Sequence, residues 1–521
     1  MQFSRSIFFT ISFLLTSGAF AMEEINIANF SEKWIINGAG EQDAIGIHLD
    51  QCGDVNGDDI DDFVLGTGEI VGSPPYDNYG YIIMGSTDFP SLINLESPPE
   101  GTVVIQHPRF SELPVAGIGD FNGDSYSDVA FADPIAEVSG IISAGRVFVM
   151  FGGVDLATEE ISFEDPQTSG VMINGYRSGA YMGVTLASAG DVNGDGLGDV
   201  LIGSYGGVFS EAFLIFGGTD VPSELSVNNI VEHGIRITGQ IGLGGGLARA
   251  GDVDNDGIAD FLLGAGSLSD QRLGHVYLIY GATDWPEEID TTQLGNLGVD
   301  IQGTATDEGF GRNMSAAGDV NRDGYQDVLF SSLLTDVGGV ENSGQVFLLF
   351  GSSQLPATIQ NTQLGNHGIT INGILKNHEL GRGLASVGDI NSDGYGDFTI
   401  CSPNRNEANI VFGSKELTQL GTVPIDQLDR LRFYGYLPEN SLFGSAAANL
   451  GDINHDGIDD IAIGDLGRTT NDNFAAGTVF IIYGQPGRFQ SLQQKCDLNS
   501  DGDVNHKDLF LFQSQWMKES D

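Results

Sequence analysis

The sequence predicts an all-β chain folded as a seven-bladed β-propeller, and three observations carry that expectation. First, an acidic loop of pattern D-x-[DN]-x-D-x-x-x-D starts at Asp54, Asp120, Asp191, Asp252, Asp319, Asp389 and Asp452, at intervals of 66, 71, 61, 67, 70 and 63 residues. Such a period from end to end of a chain means a propeller, a solenoid or an array. Second, every period holds the same four apolar runs of 4 to 7 residues, rich in Val, Ile and Phe and bounded by Gly and Asp. They are too short for helices and right for strands. Third, no period carries a long 3.6-residue apolar pattern, which argues against crossover helices. Four strands per repeat and seven repeats describe the propeller. A linear β-solenoid is the alternative, but its turns would be shorter than ~60 residues.

The pieces come in a fixed order. A short strand ends near Gly: WIING, VVIQ, VMING, IRITG, VDIQG, ITING, LRFYG. An apolar-Gly pair stands eight residues before the acidic loop in six copies, as at Met182-Gly183, Phe310-Gly311 and Phe443-Gly444; the second copy has Leu113-Pro114 nearby instead. The loop leads into a strand such as DVLIG or DFLLG. A more continuous apolar strand follows and ends in an aromatic residue or Met and then Gly, as in AFLIFG and HVYLIYG. If the WIING-type strand forms the outer edge of the preceding blade, the first copy, Trp34 to Gly38, can only complete the last blade beside Thr478 to Tyr483. That closure would remove a free sheet edge.

The loops read as calcium sites. Calcium takes 6 to 8 oxygens from carboxylates, amide carbonyls and backbone carbonyls. Positions 1, 3, 5 and 9 are Asp or Asn in every copy, and position 7 is always Ile, Leu or Tyr, whose carbonyl would face the ion. The expected ligands are Asp54, Asn56, Asp58, Ile60 and Asp62; Asp120, Asn122, Asp124, Tyr126 and Asp128; Asp191, Asn193, Asp195, Leu197 and Asp199. In the later repeats they are Asp252, Asp254, Asp256, Ile258 and Asp260; Asp319, Asn321, Asp323, Tyr325 and Asp327; Asp389, Asn391, Asp393, Tyr395 and Asp397; Asp452, Asn454, Asp456, Ile458 and Asp460. An Asx-turn explains one or two of these acids but not three carboxylates converging in each loop. Gly at position 6 suits a turn with φ > 0 in five copies; Asp59 and Ser125 stand there in the first two.

This pattern resembles the FG-GAP repeats of integrin α-subunits over Trp34 to about Gly484. The resemblance implies a seven-bladed propeller with calcium in hairpin loops. The Phe-Gly half stands at Phe310-Gly311 and Phe443-Gly444, whereas the Gly-Ala-Pro half is degenerate, as in Leu263-Gly264-Ala265 and Cys401-Ser402-Pro403. A fold hosts many functions, so the resemblance bears on architecture more than on activity.

The tail, residues 485–521, differs. Asp497, Asn499, Asp501, Asp503, Asn505 and Asp508 follow the 12-residue EF-hand spacing, with Gly502 at its sixth position. A short helix with Leu509, Phe512 and Trp516 on one face is expected after it. The tail looks like half of a dockerin type I module, and equally like a cap that docks on the propeller. Up to about eight calcium ions are therefore expected, and their loops would use 26 of the 72 acids.

Composition narrows the function. The formal net charge is −51, which argues against nucleic acid or an anionic membrane surface as partner and favours cations. Residues 1–21 have Arg5, an apolar run from Ile7 to Leu15 and a small-x-small site at Ala19-Phe20-Ala21, the pattern of a secretory signal peptide. Residues 22–33 then form an N-terminal segment before the propeller at 34–484. No later run has the ~18 apolar residues of a spanning helix. Cys52, Cys401 and Cys496 allow at most one disulfide, of open pairing. Catalytic motifs such as G-x-S-x-G, H-E-x-x-H and the P-loop are missing. The expectation is a secreted or cell-surface, monomeric, calcium-stabilised module that binds a protein or glycan. The alternatives are a propeller hydrolase or lyase acting on extracellular polysaccharide and a passive scaffold.

Overall fold

In the computed structural model the described residues are 22–484, apart from 31–32, 40–42, 69–77, 108–112, 155, 157–160, 164–168, 207–208, 267–271, 307, 436–440 and 468–475. Seven sheets, each of four antiparallel strands and a fifth parallel one, form the seven blades expected from the repeat. In blade 3 the inner strand Met182–Gly190 leads through the acidic loop into Asp199–Gly206, then Phe209–Ile215 and the outer strand Gly234–Thr238. The second strand of each blade is buried along nearly its whole length, as in Asp128–Asp133 and Asp260–Ala265. Both of its faces pack on neighbouring blades, which is why these strands read as continuous apolar runs without polar alternation.

The core is therefore seven layers between blades. One unites Ala116, Val147 and Val149 of blade 2 with Val200, Ile202 and Phe213 of blade 3. The ring closes through the layer that joins Phe63, Leu65 and Tyr81 of blade 1 to Ala448, Ala462 and Ile481 of blade 7.

Closure follows the sequence expectation and extends it. Lys33–Asn37 is the outer strand of blade 7, antiparallel to Thr478–Ile482, with Lys33 opposite Ile482 and Asn37 opposite Thr478. Trp34 stacks against Tyr483 at 3.9 Å between ring centroids. The strand Met22–Asn26 lies parallel to Arg430–Tyr434 on the outer edge of blade 6. Glu24 on it receives a hydrogen bond from Arg432 Nη1 (2.9 Å).

Every blade thus has a fifth strand that the four-piece reading lacks. Each of the other six comes from the connection between the third and outer strands of the following blade: Leu92–Asn94, Ile161–Ser162, Glu224–Ser226, Glu288–Asp290, Thr358–Gln360 and Thr422–Pro424. Blade 7 takes its outer strand from the N-terminal side, so Met22–Asn26 does for blade 6 what those connections do elsewhere. The exposed edge of every blade is thus a strand of only two to five residues, too short to template edge-to-edge pairing well.

The inner strands line an axial channel of about 680 Å³. Five residues before each acidic loop an apolar side chain faces it: Leu49, Val115, Leu186, Leu247, Met314, Leu384 and Ala447 form a ring. No helix among the described residues is long and apolar enough to cross a membrane.

Candidate metal centres

Each acidic loop joins the inner and second strands of its blade, so all seven lie on one face of the propeller. The loop at Asp191–Asp199 serves for all. Asp191 Oδ1 accepts the amides of Gly194 (2.7 Å) and Asp195 (3.1 Å), and its Oδ2 accepts that of Gly196 (2.8 Å). Asp195 Oδ1 accepts the amide of Leu197 (2.9 Å). In all seven loops the carboxylate at position 1 holds the amides of positions 5 and 6, at 2.8–3.1 Å and 2.7–2.9 Å. A carboxylate oxygen has room for a second partner, so position 1 both closes the turn and keeps lone pairs for a cation.

The position 9 acid is placed from two sides. Asp199 Oδ2 accepts the amide of Val192 and its Oδ1 that of Gly217, both at 2.9 Å. The second donor recurs in every blade: Gly85, Gly152, Gly217, Gly281, Gly351, Gly413 and Gly484 donate to their Asp at 2.8–3.0 Å. This is the Gly that ends each third strand. A Cβ there would stand 2.2–2.6 Å from a backbone oxygen, so only Gly brings the amide this close. The sequence displays these glycines, but not that their amides hold the position 9 acid. Gly413→Ala should therefore destabilise the fold by about 1–3 kcal/mol even in chelator, because its Cβ meets Gly396 O. Denaturant unfolding in EDTA measures this, and a midpoint equal to wild type would contradict it.

The loops are also joined to one another. The amides of Ser127, Gly198, Ala259, Gln326 and Gly396 donate to the position 1 carbonyl of the preceding loop at 2.7–3.1 Å. Between blades 7 and 1 the link differs: the amide of Asp452 donates to Asp61 Oδ2 (2.9 Å).

Backbone strain sits at two positions of each loop. Position 6 has φ between 66° and 92° throughout, including Asp59 and Ser125. Position 4 is also left-handed, at Gly57, Gly123, Gly194, Asn255, Arg322, Ser392 and His455. The two loops that lack Gly at position 6 have it at position 4, and their hydrogen-bond pattern matches the others. The Gly of the apolar-Gly pair is left-handed in all six blades that have it, as at Gly183 (91°) and Gly444 (90°).

Seven fully buried Asp at position 9 give the site its electrostatics. Burial raises their carboxyls first, the amide donors oppose it, and neighbouring loop carboxylates add to the rise. Asp62, Asp128, Asp199 and Asp260 are pushed up to about 7, Asp460 to about 8, and Asp327 and Asp397 well above the ordinary range. Such an array is costly when ionised unless a cation compensates it.

The residues present fit calcium. Asp252, Asp254 and Asp260 each bring a carboxylate oxygen within 4.8 Å of the others. At position 3, Asp254 Oδ1 and Asn321 Oδ1 are buried acceptors without a hydrogen-bond partner. A bound cation would supply their missing partner and neutralise the converging charge, and the all-oxygen donor set is that of a hard ion.

Other expected features fall elsewhere. Cys52 and Cys401 are buried free thiols in blades 1 and 6. Asp497, Asn499, Asp501, Asp503, Asn505, Asp508 and Cys496 lie outside the described residues, as does the leader at 1–21.

No protein-family model matches the chain. Curated relatives do. Integrin alpha-4 of Xenopus laevis is 26% identical over 259 residues, which cover 47% of this chain and 22% of that protein. Integrin alpha-PS2 of Drosophila melanogaster is 27% identical over 245 residues, covering 44% and 15%. Phosphatidylinositol-glycan-specific phospholipase D of Dictyostelium discoideum is 26% identical over 207 residues, covering 36% and 21%. The chain thus matches about a fifth of these relatives, and its similarity to integrin α-subunits accords with the propeller.

Proposed function

We propose that this chain is an exported, calcium-stabilised binding module that holds a protein or glycan partner on the propeller face opposite its acidic loops. The observation that carries this reading is a segregation of surface types. Of nine large apolar side chains exposed among the described residues, six lie at that face: Ile142, Tyr181, Ile241, Leu273, Ile374 and Leu375. The opposite face carries the seven acidic loops. Exposed apolar groups gathered on one side of a soluble fold mark an interaction surface.

The ridge between blades 2 and 3 is the strongest part of that face. Ile142 is 66% exposed and Tyr181 39%. They are set side by side by hydrogen bonds from Gly179 N to Ile142 O (3.0 Å) and from Tyr181 N to Ser143 O (3.1 Å). The corresponding ridge between blades 5 and 6 is mixed, with Lys376 paired to Glu341 at 2.6 Å beside the exposed Ile374 and Leu375. Similarity to integrin α-subunits supports a binding role, and residues 1–21 support export.

The test is a glycan array and a panel of extracellular-matrix proteins, both probed in calcium. Wild type should capture a partner, and Ile142→Glu with Tyr181→Ala should weaken capture at least about tenfold, the scale of a lost interface anchor. Blank panels together with measurable polysaccharide hydrolysis would overturn the reading.

A further inference from the structure

The axial channel has the opposite charge balance to the rest of the molecule. The chain holds 72 acids and 21 bases. The channel is lined by three arginines, Arg249, Arg312 and Arg382, and by two acids, Asp50 and Glu379. Its volume of about 680 Å³ suits a small ligand. The arginines stand at two levels. Arg312 and Arg382 each come seven residues before their acidic loops, at the mouth on the face away from the loops; Arg249 comes three before its own. The field of Arg249 acts on Asp50, so that end is internally balanced.

At the other mouth the balance is incomplete. Asn313 Nδ2 donates to Gly381 O (3.3 Å), which ties the residues next to Arg312 and Arg382 directly together. Arg312 and Arg382, in the turns that lead into the inner strands of blades 5 and 6, therefore share one stretch of rim. Arg382 donates to Glu379 (2.9 Å). Arg312 has no carboxylate partner among the described residues. Two residues further in, about 7 Å along a strand, the apolar ring begins.

We propose that this channel binds a small carboxylate with an apolar body, its carboxylate held by Arg312 and Arg382 and its body against the apolar ring. Guanidinium forks match carboxylates in shape and charge. Seven apolar side chains at one level of the channel give a hydrocarbon body a surface to pack on, which favours a carboxylate with such a body over acetate. This site is separate from the partner surface at Ile142 and Tyr181 and does not depend on it.

Isothermal titration of the calcium-loaded full chain tests it with hexanoate, acetate and hexylammonium. Hexanoate should bind at least about tenfold tighter than acetate, and hexylammonium should give no heat of binding. Arg312→Gln with Arg382→Gln should weaken hexanoate at least about tenfold, while circular dichroism and melting stay as in wild type. Both side chains are exposed, so the fold should tolerate the exchange. Hexylammonium binding as well as hexanoate, acetate matching hexanoate, or full hexanoate affinity in the double variant would each overturn the proposal. Blank partner panels would leave these titrations unchanged.

Discussion

Excess EDTA will lower the melting temperature of this chain by on the order of 20 °C. The estimate follows from mass action on the seven loops. A cation at 100 times its Kd contributes about 2.7 kcal/mol for each site bound only in the folded state. Unfolding entropy of about 2 cal/mol/K per residue converts seven such terms, over a propeller of this length, into a shift of that order. The sign of the pH dependence provides a sharper check. In the metal-free chain the buried position 9 carboxyls keep their protons up to about pH 7 in the folded state, whereas the unfolded chain releases them near 3.9. Folded pKa values raised above unfolded ones give stability that is full below about pH 4 and lost as pH rises through 7. The chelated protein should therefore melt higher at pH 5 than at pH 8. The calcium-loaded protein should do the reverse, because the ion needs ionised ligands. Calorimetry at both pH values, with and without calcium, measures all four cases. An unchanged melting temperature in EDTA would remove the metal assignment, and the same pH slope in both states would remove its electrostatic basis.

What the sequence discloses about this molecule is what local chemistry forces into it. Three carboxylates and an Asn or Asp within nine residues can be read as a loop because their spacing fits a single ion's reach. The second strands can be read because burial on both faces requires unbroken apolar runs, as in Asp460–Asp465. The position of Lys33–Asn37 can be read by elimination, since a ring leaves one outer place empty. The fifth strands could not be read. LIN, IS, ELS and TIQ are too short to show a period of two, and their pairing is fixed by the blade next door. The left-handed residues at position 4 were hidden for a related reason. Arg322 and Ser392 are not residues that advertise positive φ, and the hydrogen bonds around them hold the turn. The channel arginines are far apart in sequence, and only closure of the ring puts Arg249, Arg312 and Arg382 around one axis.

Closure is also where one short segment should matter most. Deleting residues 22–38 removes the outer strand of blade 7 and the covering strand of blade 6 together. It also removes Ile36, fully buried between blades 7 and 1, and Ile27 and Phe30, which pack on Phe433 and the layer between blades 6 and 7. Three such side chains at about 1.5–3 kcal/mol each approach the whole stability of an ordinary domain, about 5–15 kcal/mol. Loss of the strand pairing adds two bare sheet edges, a direct route to association. The truncated chain should lose its cooperative melt or form soluble aggregates by size-exclusion chromatography, in calcium as well as without it. A peptide of residues 22–38 added in trans should restore the melt, because the outer place on Thr478–Ile482 is still shaped to receive it. Calcium would not substitute for the strand, since each acidic loop joins the inner and second strands of its blade and not the outer edge. A truncated chain that melts as wild type does would mean that the ring is held by its layers alone and that these residues only decorate its rim.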